Sequence, residues 1–164
     1  FGVLFGMLLA VGSSLLLAIH RFAQPVVVEL GQLPGTRDYQ DLNRHGEALR
    51  QPGLLVLRVE EPLFFANAEQ AFQYVRAWAV REQPATVVLS LEVCDDLDVT
   101  ASEALAELTA NLQRAGIELA LARVKDRIRD ALARAGLIGA HDHAIAAFWS
   151  VDDAVQATVI RTPT

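Results

Sequence analysis

The chain has 164 residues, 52% of them hydrophobic, with 14 basic against 20 acidic side chains and a formal net charge of −6. That length holds one domain of roughly 100–150 residues plus an appendage, and a core of that size needs neither disulfide nor metal. The acidic balance, with a pI near 5.1, leaves no basic patch to neutralise phosphates and argues against a nucleic-acid partner. Cys94 is the single cysteine, which rules out an internal disulfide and fits a reducing compartment.

A mean hydropathy of +0.28 is high for a soluble domain, and the excess lies at the N-terminus. Phe1 to Ile19 carries no charge; His20 and Arg21 end the run and Gln24-Pro25 close it. About 20 apolar residues cross a bilayer. Gly2, Gly6, Ala10 and Ser14 recur every fourth residue, a stripe on which membrane helices approach closely. A signal peptide would begin with Met and a basic region, and a core helix would show a polar face. Neither pattern is present. The start at Phe1 reads as a cut from a longer polypeptide, and Arg21 favours a cytoplasmic exit.

Pro25 to Leu30 can be extended. Gly31 to Gly53 reads as a polar connector with turn signals at Pro34-Gly35 and Pro52-Gly53. Leu54 to Val59 is a strand, and Leu63 to Ala66 a second one. Asn67 caps a helix over 68–83, whose Ala71, Phe72, Val75, Trp78 and Ala79 keep helical spacing. Thr86 to Val93 is rich in β-branched residues and reads as a central buried strand. A helix over 101–114 follows, with Leu105, Leu108 and Leu112 on one face and Gly116 at its C-terminal cap. Ile117 to Val124 is a strand. Asp126 to Ala135 is a helix closed by Gly136, and a last helix starts near Ser150, with a capping-box-like spacing to Asp153. Strands alternating with short helices predict an α/β fold whose sheet is at least partly parallel.

The segment most open to a functional reading is Asp98-Val99-Thr100-Ala101-Ser102-Glu103. It joins a buried strand to a helix N-terminus, where unpaired N–H groups and the helix dipole favour an anion. Asp98, Thr100 and Ser102 are the candidate regulatory or ligand-binding residues. Thr100 and Glu103 also match a capping box, so Thr100 reads first as an N-cap contributing about 1 kcal/mol. Asp95, Asp96 and Asp98 read as a solvated loop with one capping carboxylate rather than a Mg²⁺ site. His141-Asp142-His143 lacks further metal ligands at readable spacing, and Cys94 lacks a neighbour that would make it a thiolate. No phosphate loop, nucleophile elbow or metalloprotease motif is present, so the sequence gives no enzyme, metal or cofactor to expect.

Three stretches together resemble the C-terminal part of the SulP family of anion transporters. They are the apolar run ending at Arg21 and Pro25, the connector Leu30-Gly31-Gln32-Leu33-Pro34-Gly35-Thr36 with Tyr39, and Leu57 to Ala68 with its Pro62-Leu63-Phe64-Phe65-Ala66-Asn67 core. The resemblance continues through Asp98 to Ala101 and Arg129 to Leu132 as far as Leu137. It implies that residues 1–22 are the end of a transmembrane helix, 23–53 a connector and 54–160 a STAS domain, a mixed β-sheet flanked by helices. It further implies that the membrane part moves sulfate, bicarbonate or a related anion, while the STAS domain regulates from the cytoplasmic side of the cell (inner or plasma) membrane.

Implied partners are the membrane domain of the parent transporter, the lipid bilayer along residues 1–20, and a regulatory protein or nucleotide. Transporters of this kind are commonly dimers, although no residue here carries that. The alternative is a free-standing signalling domain similar to anti-sigma-factor antagonists. In those a serine directly after the motif aspartate is phosphorylated. Here Val99 holds that position and has no hydroxyl, which leaves Thr100 and Ser102 as the remaining acceptors.

Overall fold

The computed structural model describes residues 2–22, 24–140 and 144–161. The order is α1 (Gly2–Phe22), β1 (Val27–Gln32), β2 (Tyr39–Asp41), β3 (Leu54–Val59), α2 (Ala68–Glu82), β4 (Thr86–Ser90), α3 (Val99–Arg114), β5 (Glu118–Ala122), α4 (Asp126–Arg134), β6 (Ala146–Ala147) and α5 (Val151–Arg161). The strands form one mixed sheet in the order β2-β1-β3-β4-β5-β6. β3 to β6 are mutually parallel, whereas β1 is antiparallel to both β3 and β2.

Each crossover from β3 to β6 steps one strand in the same direction. A right-handed crossover places its helix on a fixed side, so α2, α3 and α4 share one face. Side chains alternate across a strand: Leu55, Leu57, Val87, Leu89, Leu119 and Leu121 pack under those helices with Phe72, Leu105, Leu112 and Ile128. Val56, Val88, Ala120 and Ala122 turn to the other face and meet Val151, Ala154 and Val155 of α5. The small side chains there let α5 lie close to the sheet. β4 is buried at all five positions, as the β-branched run predicted.

Helix ends follow their local chemistry. Gly116 (φ +73°) and Gly136 (φ +68°) take the left-handed conformation. There the N–H of Ile117 donates to the Leu112 carbonyl, and that of Leu137 to the Leu132 carbonyl, as in a Schellman cap. Ser150 Oγ accepts from the Asp153 N–H at 3.0 Å at the start of α5.

Two expectations are corrected. Leu63 to Ala66 is not a strand but a turn into α2: Asn67 Oδ1 accepts from the Phe64 N–H and its Nδ2 donates to the Pro62 carbonyl, curling the segment on itself. The Pro25 to Leu30 stretch expected to be extended is β1, and the polar connector after it adds β2, with Leu49 bridging Gln32. The polar composition hid β2, because its pairing comes from β1 rather than from apolar alternation within the connector. Gly31 is required within it. A Cβ there would lie 2.5 Å from Leu42 Cδ2 and 3.0 Å from the Leu49 carbonyl oxygen.

Candidate functional site at the amino end of α3

The three residues singled out in the sequence lie together at the start of α3 but do different things. Asp98 is the N-cap, with extended backbone (φ −72°, ψ 172°). Its Oδ1 accepts from the Ala101 N–H at 2.7 Å and its Oδ2 from the Phe65 N–H at 2.7 Å. Its carbonyl accepts from the Ser102 N–H at 2.9 Å. The capping role expected of Thr100 therefore falls to Asp98, and Thr100 sits exposed inside the first turn. The S/T-x-x-E pattern competed with an aspartate two residues earlier, and contact with the α2 turn decided between them. Ser102 is buried against the domain. Val99, which carries no hydroxyl, is 74% exposed.

The electrostatics of this end disfavour an anion. The dipole of α3 is already met by the Asp98 carboxylate, and Asp95, Asp96 and Glu103 stand exposed around it. Lys125 Nζ reaches Asp95 at 2.6 Å, and that hydrogen bond holds the Asp95 carboxyl below the usual range. Beside the cap, Leu97, Val99, Ser102, Glu103, Ala131 and Arg134 line an open groove of about 420 Å³ between α3 and α4.

Sequence reasoning missed the charged rim beyond the carboxyl ends of β3, β4 and β5. Arg58 bonds Glu60 at 2.6 Å, and Arg123 bonds Glu92 at 2.6 Å. Each of these residues lies at or just past a strand end, and only the parallel register brings them side by side. The parallel strands show no reversal of order, so the crevice in which doubly wound sheets hold a nucleotide does not form between β3 and β6. Among the described residues no group of three or more His, Cys, Asp or Glu is placed to hold a metal; His141-Asp142-His143 lies outside them. Cys94 is fully buried, and burial pushes its thiol pKa up.

The other functional element is α1. Gly2–His20 has a mean hydropathy of 2.3, and none of it is buried against the rest of the chain. At 1.5 Å per residue its 21 residues extend about 31 Å, matching a hydrocarbon core of about 30 Å.

A mixed sheet of this topology, three helices on one face and one on the other, defines a STAS fold, and the STAS domain family model matches residues 46–153. The chain belongs to that family. It is 39% identical over 161 residues to a protein of Mycobacterium tuberculosis (strain ATCC 25618 / H37Rv) named as a probable sulfate transporter, covering 95% of this chain and 28% of that protein. The chain thus spans under a third of that relative's length. The structure of the SulP transporter STAS domain from Vibrio cholerae superposes with a TM-score of 0.56 at 25% identity, over 73% of this chain and 91% of that one. The murine Solute Carrier 26 family member A9 anion transporter, in its inward-facing state, shares the fold with a TM-score of 0.82 at 22% identity. That match covers 95% of this chain and 26% of the transporter. The domain is the STAS domain of a SulP-type sulfate transporter homologue, as the sequence motifs implied.

Proposed function

We propose that the chain is the closing part of a secondary anion transporter, with sulfate the first substrate to test. Residues 1–22 end its last membrane helix, 23–53 lead out of the membrane, and 54–160 form a STAS domain. That domain regulates transport from the cytoplasmic side and is not an enzyme. The observation that carries this reading is the attachment of a helix whose exposed, apolar span Gly2–His20 is long enough to cross a membrane to a domain whose relatives are named sulfate transporters. In water such a helix would leave its entire apolar surface uncovered.

Asp98, Thr100 and Ser102 form the regulatory corner in this reading. Thr100 is the accessible hydroxyl, whereas Ser102 is turned inward. The alternative of a free-standing signalling domain loses support from Val99, which cannot be phosphorylated. Anion uptake by the full-length parent in cells lacking their own sulfate uptake tests the proposal. Sulfate should enter, and deleting 54–160 should lower the rate or the amount of transporter without changing which anions compete. A competition profile altered by the deletion would place the domain in substrate choice and contradict the regulatory role.

A further inference from the structure

The chain enters the domain beside an aromatic groove. Pro25, Val26 and Val27 form one wall and Tyr74, Trp78 and Arg81 of α2 the other, around a space of about 610 Å³. The three α2 residues follow helical spacing and make one stripe, alongside the buried Ala71, Val75 and Ala79. Val26 is 49% and Tyr74 47% exposed. Trp78 is partly buried and packs against the core. Its Nε1–H is enclosed and meets no acceptor among the described residues. The Arg81 guanidinium lies 5.4 Å from the Trp78 ring centre, and its Nε donates to Glu82 at 3.0 Å. The groove is therefore apolar and aromatic, with a charge-compensated cation at one end. Such a surface marks a binding groove.

Covalent geometry limits what can fill it. Pro25 stands three residues past Phe22, the last residue of α1, and a chain of that length spans at most about 11 Å. With α1 across the bilayer, its end stands at the membrane surface and the groove opens within that reach of the headgroups. Trp and Tyr favour that level, because the ring is apolar while its N–H or O–H meets headgroup oxygens. Arg reaches the same level with its stem along apolar surface. The groove between α3 and α4 has no aromatic lining residue.

We propose that the groove between Val26 and Trp78 holds a phospholipid of the leaflet where α1 ends. The glycerol end of its acyl chains lies against Val26 and Tyr74, and its headgroup oxygens point toward Trp78 and Arg81. The proposal rests on the reading of α1 as a membrane helix.

Fluorescence of Trp78 tests it. With Trp149→Phe, Trp78 is the only tryptophan of residues 1–164. This chain is reconstituted into phosphatidylcholine vesicles whose acyl chains carry bromine, a contact quencher of indole, near the ester or near the methyl end. Bromine near the ester should remove most of the Trp78 emission, and bromine near the methyl end little. Val26→Asp with Tyr74→Asp should restore the emission, whereas Tyr74→Phe should not. Circular dichroism checks the fold of each variant, and the comparison of bromine depths stands on the unsubstituted groove. In the full-length parent, a benzophenone amino acid at position 74 should yield phospholipid adducts on irradiation. Unquenched Trp78, quenching undiminished by the aspartates, or adducts on peptides of the membrane domain or of other proteins would each overturn the proposal. Val11→Trp, in a chain with Trp78→Phe and Trp149→Phe, separates the two claims. If that indole is quenched from the methyl end while Trp78 is not, the groove alone fails. If it is not quenched, the membrane reading has failed first and the groove falls with it.

Discussion

Asp98 and Phe65, 33 positions apart, are joined by a 2.7 Å hydrogen bond from the Phe65 N–H to Asp98 Oδ2. The other oxygen of the same carboxylate caps α3 through the Ala101 N–H. One side chain thus closes the first turn of a helix and pins the turn that leads into its neighbour.

Removing that carboxylate should cost more than an ordinary cap. Asp98→Ala is expected to destabilise the chain by about 1–3 kcal/mol, because both a cap and a tertiary bond to a charged group are lost. Thr100→Ala, exposed and outside the cap, should stay within about 0.5 kcal/mol. Thermal melts of the two variants decide the assignment; equal losses would return the cap to Thr100.

Leu105 lies fully buried beneath α3, in the core under the sheet. Leu105→Ala should cost about 2–5 kcal/mol through lost burial and a residual cavity. Leu105→Asp should abolish the cooperative melt, since it buries an unpaired charge. A melt unchanged by the aspartate would refute the packing of α3.

Tyr39 Oη is buried without a hydrogen-bond partner among the described residues, and burial, aided by Asp152, raises its pKa from 10.0 to about 12. A phenol that keeps its proton more tightly when folded supports the fold below 10.0 and loses that support as pH rises through about 12. Tyr39→Phe should therefore flatten alkaline unfolding in that window. At neutral pH it should stabilise by on the order of 1 kcal/mol, since an unsatisfied hydroxyl disappears. Alkaline denaturation followed by circular dichroism tests both; a Phe variant that unfolds at the same pH and temperature as the parent would contradict them.

Gly31 in β1 faces the Leu49 carbonyl and the Leu42 side chain with no room for a Cβ. Gly31→Ala should destabilise by about 1–3 kcal/mol through forced displacement of the 42–49 segment. Gly46→Ala, open to solvent, should be nearly neutral. A Gly31 variant as stable as the parent would show that this segment can move away at little cost.

The alternation from β3 to α4 was legible because each element carries its own period and its own stop. Leu105, Leu108 and Leu112 mark the buried stripe of α3, and Gly116 and Gly136 end helices where a left-handed residue is needed. The edge of the sheet was legible only in part. Pro25 to Leu30 reads as extended and is β1, but β2 is only YQD, and it is a strand because β1 offers it an edge, a fact no local pattern carries. The LGQLPGT motif did signal its family, and its local role is a turn. Gly35 takes φ +74°, Thr36 Oγ1 donates to the Leu33 carbonyl, and the Asp38 N–H donates back to Thr36 Oγ1. The corner at Asp98 was located from sequence, but its division of labour was not. The partner that selects Asp98 over Thr100 is a backbone N–H in the β3–α2 loop, and only folding brings it there.

The central claim is that α1 anchors a STAS domain in a membrane, and alkaline carbonate extraction tests it most directly. Membranes from cells expressing residues 1–164 and residues 24–164 are washed and pelleted. The account predicts that the longer chain stays in the pellet and the shorter one appears in the supernatant. Recovery of both in the supernatant would contradict it, and would make α1 a helix covered by protein rather than lipid.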